Sequence, residues 1–222
     1  MKSSKLPPSN APGGWIGTDE AGKGDYFGPL VVAGVYVTEA TAVLLRQVGV
    51  RDSKRLSDRR VVEMGAAIRQ TCPLNVVAIG PQRYNEMYAH VHNLNRLLAW
   101  AHARVIENLL EQVRCERVVS DQFGDERILQ QALMEKGRRI QLIQRPRAED
   151  DLAVAAASII ARGEYVRRLE QLGRTAGVPL RKGAGPPVLV AGRHFIEKHG
   201  RTALRTVAKL HFKTTQQIIS NI

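Results

Sequence analysis

The sequence predicts an α/β fold in which a five-stranded mixed sheet is flanked by helices and followed by a helical C-terminal region. Three β-prone segments come early in the chain, two more alternate with helical patterns further on, and a helix rich in small residues follows the last of them. This order favours antiparallel pairing among the early strands and parallel pairing among the later ones, with helices on both faces of the sheet.

The five predicted strands are short and apolar, and several are rich in β-branched residues. The first runs up to Asp19 and is broken by Gly22 and Gly24, while Gly28 and Pro29 support a hairpin-like connection to the second. The predicted strands are 15–19, 30–38, 75–79, 117–120 and 140–143.

Apolar residues at helical spacing predict the helices between the strands. Ser57 is a good N-cap, because its hydroxyl can accept a backbone N–H that has no partner within the helix. Gly137 stops the helix that begins at Glu126, and the basic region from Val188 onward is also expected to be helical. The predicted helices before that region are 41–48, 57–70, 93–113, 126–136 and 150–173.

The first residues differ in composition from the rest of the chain. Residues 1–13 are dominated by Ser, Pro, Lys and Gly and cannot bury enough apolar surface to become ordered, so we expect a disordered tail. No repeat or clear linker divides residues 14–222, which we expect to form a single domain that includes the helical C-terminal region.

Cellular location is predicted from what the sequence does not contain. No apolar run approaches the roughly 18 residues that a membrane span needs, and no apolar stretch follows Lys2 and Lys5 as it would in a signal peptide. Cys72 and Cys115 lie far apart without a CxxC pattern, which excludes a disulfide framework and a cysteine zinc site. We therefore expect a cytoplasmic protein, a monomer without a membrane partner.

Net charge is the first indication of function. The chain has 33 Lys and Arg residues against 21 Asp and Glu residues, a formal net charge of +12. Such a charge repels itself, and a polyanion is the usual partner that relieves the repulsion. Nucleic acid is favoured over an anionic membrane surface. A solvated basic surface without a partner is the other interpretation.

Acidic residues follow three of the predicted strands. Since the carboxyl ends of parallel strands line the ligand crevice of an open sheet, we expect these side chains to converge. Their alternative role is to cap helices or to pair with Arg and Lys, and Asp150 and Asp151, at a helix start, suit that role. The acidic residues are Asp19, Glu20, Asp121, Glu149, Asp150 and Asp151.

A cluster of carboxylates favours a bound cation, because the negative charges repel one another without it. Oxygen ligands with no Cys or His nearby select Mg²⁺ or Mn²⁺ rather than zinc. Two such ions about 3.5–4 Å apart can activate a water and stabilise the leaving oxygen of a phosphodiester. Together with a basic surface that holds phosphates, the pattern indicates a metal-dependent enzyme acting on nucleic acid.

Five motifs, in order along the chain, resemble those of the type 2 ribonucleases H and are most similar to ribonuclease HIII. One short motif such as Asp52-Ser53-Lys54 would mean little alone, but five ordered matches cover nearly the whole chain and are highly specific. The motifs are the run Gly17 to Pro29 (GTDEAGKGDYFGP), Asp52-Ser53-Lys54, Asp121-Gln122-Phe123, the segment 155–161 (AAASIIA) and the segment 208–212 (AKLHF).

The resemblance implies an RNase H-like fold over residues 14–222 and a metal-dependent endonuclease that hydrolyses the RNA strand of RNA–DNA hybrids. It implies two Mg²⁺ or Mn²⁺ ions as cofactors, and products with 5′-phosphate and 3′-hydroxyl ends. The implied catalytic and metal-binding residues are Asp19, Glu20, Asp121 and Glu149. Asp150 and Asp151 remain alternatives to Glu149 as the fourth carboxylate.

Five residues are candidates for binding the substrate: Gly22, Lys23, Gly24, Lys54 and Lys182. The two glycines lack a Cβ, so the backbone can approach a ribose and read its 2′-hydroxyl, which distinguishes RNA from DNA. A plain tight turn is the alternative. Lys23 and Lys54 are compact charges suited to phosphate. Lys182 opens the segment 182–185 (KGAG), which corresponds to a Lys-Gly-Tyr-Gly segment of ribonuclease HII but has Ala184 in place of the tyrosine.

Two departures from the family pattern bear on the branch. Ribonuclease HII recognises a ribonucleotide at an RNA–DNA junction with a Gly-Arg-Gly loop and the tyrosine of that later segment, whereas this chain has Gly22-Lys23-Gly24 and Ala184. The resemblance therefore favours ribonuclease HIII, with a junction-cleaving ribonuclease HII-like enzyme and a non-catalytic nucleic-acid-binding protein as alternatives. Ribonuclease HIII usually carries an N-terminal hybrid-binding domain, which we expect to be missing before Gly14.

Three other groups of residues have open roles. Tyr26 and Phe27 follow the glycines and either stack on a sugar or base or lie in the core. The histidines show no zinc spacing and are interpreted as non-ligands. The basic residues of the C-terminal region form either a groove wall for the DNA strand or a solvated face, and they are Arg193, Lys198, Arg201, Arg205, Lys209 and Lys213.

Overall fold

Five strands form one mixed sheet in the computed structural model, which describes residues 13–50 and 56–220. The strands are β1 (Trp15–Ala21), β2 (Leu30–Val37), β3 (Leu74–Ile79), β4 (Arg117–Asp121) and β5 (Gln141–Arg145). They lie in the order β3-β2-β1-β4-β5, with β2 antiparallel to β1 and β3, and with β4 parallel to β1 and β5. The predicted mixed five-stranded sheet is therefore confirmed. The predicted tail, apart from Gly13, and the Asp52-Ser53-Lys54 motif lie outside the described residues.

Helices cover both faces of this sheet and form the C-terminal region. They are α1 (Glu39–Val48), α2 (Asp58–Thr71), α3 (Pro81–Val91), α4 (Leu94–Leu110), α5 (Glu126–Ala132), α6 (Leu152–Ala176), α7 (Pro186–His199) and α8 (Lys213–Ile219). Short 3₁₀ segments occur at Gly137–Arg139, Ala148–Asp150 and Arg201–Thr206. In the described part of the chain, no helix is both long and apolar enough to cross a membrane.

The two faces of β1 and β2 pack against different helices, because successive side chains of a strand alternate between faces. α6 lies so close to one face that a Cβ on Gly17 would be 2.1 Å from the backbone carbon of Ala153. α4 covers the other face, where a Cβ on Gly34 would be 2.5 Å from Val105. Each face therefore has its own hydrophobic core, one around α6 and one around α4.

Most predicted elements are confirmed with small shifts of their ends, but α3 and α5 differ from prediction. α3 has no counterpart among the predicted elements, and it begins at Pro81, whose fixed φ suits the first helical position. α5 ends at Ala132 rather than at 136. The buried carboxylate of Glu107 in α4 accepts hydrogen bonds from the backbone N–H groups of Lys136 (2.9 Å) and Gly137 (3.0 Å), which holds this stretch outside the helix.

The start of α6 also differs from prediction, and a cap explains it. α6 begins at Leu152 rather than at 150, because Asp151 is its N-cap and accepts from the backbone N–H groups of Ala153 (2.9 Å) and Val154 (3.2 Å). The helix-capping role weighed for this acid is therefore confirmed. Ser57 caps α2 as predicted.

The C-terminal region is held against residues 22–28, a segment that we call the glycine loop. The backbone N–H of Lys209 donates to the carbonyl of Tyr26 at 2.9 Å, and that of Gly28 donates to Val207 at 2.9 Å. The side-chain ammonium of Lys209 also donates to the carbonyl of Gly28 at 2.8 Å. The end of the chain thus supports a loop that follows the first strand.

α3 supports the same C-terminal segment through one side chain. The amide nitrogen of Asn85 donates to the carbonyl of Ala208 at 2.9 Å, and its oxygen accepts from the backbone N–H of Leu210 at 2.9 Å. Because the two bonds use both ends of one amide, the segment is fixed on both sides of Lys209.

Candidate active site

The end of β1 presents two consecutive carboxylates to opposite faces of the sheet. In the antiparallel register, Asp19 pairs with Ala33, which belongs to the core around α6, and Glu20 pairs with Val32, which belongs to the core around α4. Side chains paired in this way share a face of the sheet. Asp19 therefore faces α6 and Glu20 faces α4.

Asp19 lies at the border of the α6 core. Its Oδ1 accepts from the backbone N–H of Glu20 at 2.8 Å, and the side chain of Ser158 in α6 is a further hydrogen-bond partner. Burial first, and then the negative charges of Glu20 and Asp121, raise the pKa of Asp19 to about 7 against the effect of these hydrogen bonds. A positive charge at this position would stabilise the ionised carboxylate.

Asp121 lies next to Asp19 across the parallel pair of β1 and β4. The register pairs Thr18 with Ser120, and one further step along both strands brings Asp121 beside Asp19 on the face that α6 covers. The Oδ1 atom of Asp121 accepts from the backbone N–H of Ala148 at 2.9 Å. This bond joins the turn after β5 to the end of β4.

The three acids that follow β5 have different surroundings. Asp150 forms an ion pair with Arg145, in which Nη1 lies 2.9 Å from Oδ2. Asp151 caps α6 and also accepts from an indole N–H at 3.0 Å. Glu149 lies on the same 3₁₀ turn, directly after the residue that donates to Asp121. Of the three acids, Glu149 is therefore the one next to the hydrogen bond between Ala148 and Asp121.

Both carboxylate oxygens of Glu20 have a partner. Oε1 lies 3.4 Å from the ammonium of Lys23, and Oε2 lies 3.2 Å from Nε2 of His102. Burial opposes ionisation, but the hydrogen bond from His102 and the charge of Lys23 hold the pKa of Glu20 below its usual value. Glu20 is therefore an ionised carboxylate held between two side chains.

The donor atoms at this edge of the sheet suit a hard divalent cation, because they are carboxylate oxygens. Within residues 13–50 and 56–220, no three Asp, Glu, His or Cys side chains are already grouped as ligands of one ion. Mg²⁺ commonly takes one or two carboxylates and completes its coordination with water and substrate phosphate. Neighbouring carboxylates such as Asp19 and Asp121 fit an ion of that kind.

The glycine loop begins beside these carboxylates. Gly22 has a φ of +84°, and a Cβ there would lie 2.2 Å from the carbonyl oxygen of Pro29, so the turn requires glycine. Gly24 is exposed, and a Cβ there would meet nothing within 4 Å, so its backbone is open to a ligand. Lys23, between the two glycines, is the predicted substrate-binding lysine that lies at the carboxylates.

Lys182, another of the predicted substrate-binding lysines, has a carboxylate partner of its own. The segment of Lys182 adjoins the glycine loop, since the backbone N–H of Gly183 donates to Asp25 at 2.6 Å. However, the ammonium of Lys182 is 2.6 Å from the carboxylate of Asp58. Lys54 lies outside the described residues.

Burial decides the roles that the sequence left open. Tyr26 and Phe27 are fully buried, so they belong to the core and do not stack on the substrate. Lys209 is also fully buried. Its assignment to a groove wall or a solvated face is therefore wrong, because its segment passes beneath the glycine loop.

His102 is a residue of the site that the sequence analysis does not assign to it. It is buried on α4, its Nδ1 lies 2.9 Å from Oγ1 of Thr18, and its ring stacks on Phe123 with centroids 4.8 Å apart. The available signal is spacing, since His102 lies four residues after Leu98 and four before Ile106, within the apolar stripe of the helix. A polar ring in that stripe must face the sheet.

A mixed sheet of this order, with helices on both faces and carboxylates at the ends of the neighbouring strands β1 and β4, defines an enzyme of the RNase H-like class of metal-dependent nucleases. The family model described as ribonuclease HII matches residues 16–215, and the chain belongs to this family. It is a metal-dependent endonuclease that hydrolyses the RNA strand of RNA–DNA hybrids.

Within the family, the chain is similar to ribonucleases HIII. It is 46% identical over 207 residues to the ribonuclease HIII of Protochlamydia amoebophila (strain UWE25), and the alignment covers 93% of this chain and 69% of the relative. It is 44% identical over 208 residues to the ribonuclease HIII of Chlamydia pneumoniae, and this alignment covers 92% of this chain and 70% of the relative. The fold is also similar to the crystal structure of Bst-RNase HIII in complex with Mn²⁺, with a TM-score of 0.88 and 34% sequence identity. This match covers 94% of this chain and 70% of the Bst-RNase HIII chain. The resemblance to ribonuclease HIII is thereby confirmed.

Proposed function

We propose that Asp19, Glu20, Asp121 and Glu149 carry the hydrolysis and hold two Mg²⁺ or Mn²⁺ ions against the scissile phosphodiester of the RNA strand. The observation that carries this proposal is the adjacency of Asp19 and Asp121, where burial and neighbouring negative charges raise the pKa of Asp19 to about 7. Divalent cations would remove this repulsion and keep the carboxylates ionised.

The four carboxylates reach the proposed site from three parts of the fold. Asp19 and Asp121 come from the α6 face of the sheet, Glu20 from the α4 face, and Glu149 from the turn after β5. Ions bound there would supply Lewis-acid activation of a water and of the leaving oxygen. The task of the chain is to fix four carboxylates on rigid elements and to hold the RNA phosphate in line with the attacking water.

The proposed substrate contacts come from the glycine loop and three lysines. The open backbone at Gly24, next to the tight turn at Gly22, supports close approach to a ribose 2′-hydroxyl. Lys23 would pair with the phosphate nearest the carboxylates. Lys54 and Lys182 would bind phosphates further along, and for Lys182 this means giving up an exposed ion pair, which is a weak interaction in water.

The first experiment removes single carboxylates. Asp19→Asn and Asp121→Asn are expected to lower kcat by at least about 100-fold, because each removes a carboxylate that would hold the ions that stabilise charge in the transition state. Binding of uncut hybrid should survive. Gel cleavage assays with Mg²⁺ and with Mn²⁺, together with fluorescence anisotropy of the labelled hybrid, measure the two effects, and the product ends test for 5′-phosphate and 3′-hydroxyl. Turnover like the wild type in either variant would remove the assigned site.

A matched pair of variants identifies the fourth carboxylate. Glu149→Gln is expected to lose activity as Asp19→Asn does, whereas Asp150→Asn should retain activity within a few-fold, because Asp150 is paired with Arg145. The same cleavage assay is used for both. The opposite ranking would move the fourth position from Glu149 to Asp150.

We further propose cleavage within RNA tracts rather than at single embedded ribonucleotides. Ala184 supports this, since it has no ring to stack on a sugar and its segment is bonded to the glycine loop through Tyr26 and Gly183 (2.9 Å). An RNA–DNA hybrid should be cut at least about fivefold faster than a duplex with one ribonucleotide, the size expected for a missing stacking contact of roughly 1–3 kcal/mol. An all-DNA duplex is the control, and efficient nicking beside the lone ribonucleotide would favour the ribonuclease HII-like alternative.

Monomeric state and cytoplasmic location are also part of the proposal. Cys72 and Cys115 are free thiols, which suits a reducing compartment. Sedimentation of the purified chain should give one species near 24.6 kDa.

A further inference from the structure

A buried polar chain connects α4 to the carboxylate of Glu20. His102 is completely buried, and its ring nitrogens lie 2.9 Å from Oγ1 of Thr18 and 3.2 Å from Oε2 of Glu20. Thr18 and Glu20 are alternate residues of β1, so both face α4, and the imidazole spans them. The ring is also stacked on Phe123, so it is fixed by packing as well as by hydrogen bonds.

The partners of His102 determine which nitrogen carries the proton. An ionised carboxylate can only accept, so Nε2–H of His102 donates to Glu20. The hydroxyl of Thr18 can donate to Nδ1, which selects the tautomer with its proton on Nε2. The donors therefore run in one direction, from Thr18 through His102 to Glu20.

The two partners of Glu20 differ in their freedom to move. The side chain of Lys23 is 37% exposed and sits on a flexible stem, whereas that of His102 is 0% exposed. A phosphate can attract the lysine away from Glu20, but the histidine cannot leave without unpacking α4 from the sheet. His102 is therefore the partner that keeps its geometry when a substrate arrives.

We propose that His102, oriented by Thr18, is a positioning residue that holds the Glu20 carboxylate in the orientation needed to bind a divalent cation. This inference rests on the proposed role of Glu20 as a metal ligand. Groups that orient metal-binding side chains through hydrogen bonds typically change metal affinity or activity about 10–100-fold when they are removed. The proposal gives α4, which holds none of the predicted carboxylates, a part in the reaction.

The test is Mn²⁺ binding by the whole chain without substrate, measured by isothermal titration calorimetry. His102→Phe keeps an aromatic ring against Phe123 and removes both nitrogens, and we expect the Kd for Mn²⁺ to rise about tenfold or more. His102→Gln retains an N–H that can donate to Glu20 and should recover much of the affinity. Thr18→Val should weaken binding in the same direction but less.

Stability and kinetics separate a positioning role from a merely structural one. Circular dichroism and thermal unfolding of each variant show whether the fold is intact, and His102→Gln and Thr18→Val carry the test if His102→Phe does not fold. In steady-state cleavage of hybrid, kcat should fall and the Mn²⁺ concentration for half-maximal activity should rise, while KM for the hybrid stays constant. Folded variants with lower stability but an unchanged Kd for Mn²⁺ would overturn the proposal.

Glu20→Gln distinguishes failure of this inference from failure of the proposed function. An unchanged Kd for Mn²⁺ in Glu20→Gln would show that Glu20 is not a ligand. A weaker Kd in Glu20→Gln but not in His102→Phe would refute the positioning role alone. If His102 acts through Glu20, adding His102→Phe to Glu20→Gln causes no further loss, whereas losses that multiply in the double variant contradict it.

Discussion

Lys209 is fully buried, although lysine is among the residues least often found inside proteins. Its ammonium lies 2.8 Å from the carbonyl of Gly28 and 5.8 Å from the centre of the Tyr84 ring. Burial lowers the pKa of Lys209 to about 7, and the negative charge of Asp25 opposes this only in part. A group that supports the glycine loop therefore titrates near neutral pH.

Lys209 is expected to increase the free energy of unfolding as pH rises from about 7 towards 10. In this window the unfolded chain keeps the lysine proton, with a pKa of about 10.4, while the folded chain has released it, so stability rises by up to about 1.4 kcal/mol per pH unit. Below about pH 7 both states are protonated and the contribution is constant.

Urea unfolding of the wild type and of Lys209→Met at pH 7 and pH 9 checks this expectation. The difference in free energy of unfolding should move in favour of the wild type by roughly 2 kcal/mol at the higher pH. Lys213→Met, at an exposed position of the same region, is the control and should follow the wild type. Equal pH dependence in the wild type and Lys209→Met would contradict the lowered pKa.

Single residues of the site differ in how far the sequence reveals them. The positions of Asp19 and Asp121 could be predicted, because an acid at the end of a strand is placed once the strand and its position in the sheet are known. The positions of His102 and Lys209 could not, since their burial depends on which helix or segment covers them. That information lies in contacts between residues far apart in the sequence.

At the scale of elements, the contact between α6 and β1 sets the geometry beside Asp19. A Cβ on Gly17 would lie 2.1 Å from backbone atoms of both Ala153 and Val154. These atoms belong to the first turn of α6 and cannot move unless the helix moves. The same helix carries Ser158, the hydrogen-bond partner of Asp19, so the spacing of helix and strand also positions a carboxylate.

Gly17→Ala is expected to lower the free energy of unfolding by at least about 2 kcal/mol, the cost of forcing extra volume into a packed core. Gly24→Ala is the matched control, because a Cβ there meets nothing within 4 Å, and its stability should stay within roughly 0.5 kcal/mol of the wild type. Urea unfolding monitored by circular dichroism measures both. An unchanged midpoint for Gly17→Ala would mean that α6 is not in close contact with the strand.

The elements themselves could mostly be predicted, but their ends could not. Alternation and helical spacing are local patterns, so the strands and the long helices are found from sequence. The end of α5 depends on the buried carboxylate of Glu107, which binds the backbone of Gly137 from another helix. α3 was missed because it buries only Pro81 and Tyr84 and no side chain caps its N-terminus.

At the scale of the whole molecule, the chain carries a net charge of +12, although one edge of its sheet is rich in carboxylates. The C-terminal region contributes exposed basic residues near the glycine loop, among them Lys213, which follows Phe212. The ring of Phe212 lies 6.1 Å from that of Tyr26. We expect Lys213 to contact a phosphate of a bound duplex.

Hybrid affinity is expected to fall steeply with salt, and Lys213→Gln should reduce the slope of log K against log salt by about 0.9, the value for one lost phosphate contact. Fluorescence anisotropy across a series of KCl concentrations, with Asp19→Asn in all chains to prevent cleavage, measures the slope. Arg139→Gln is the control, since Arg139 is exposed and lies before β5, at the opposite edge of the sheet. Equal slopes for Lys213→Gln and the parent would exclude this contact.

The bond between Lys209 and Gly28 joins residues 181 positions apart, which has a consequence for synthesis on the ribosome. Contacts of such separation form slowly, because a large loop must close before they contribute. The nascent chain can pair its first strands early, but the glycine loop lacks its final supports until residue 209 has left the exit tunnel. Ordering of the glycine loop is therefore expected to be a late event in folding.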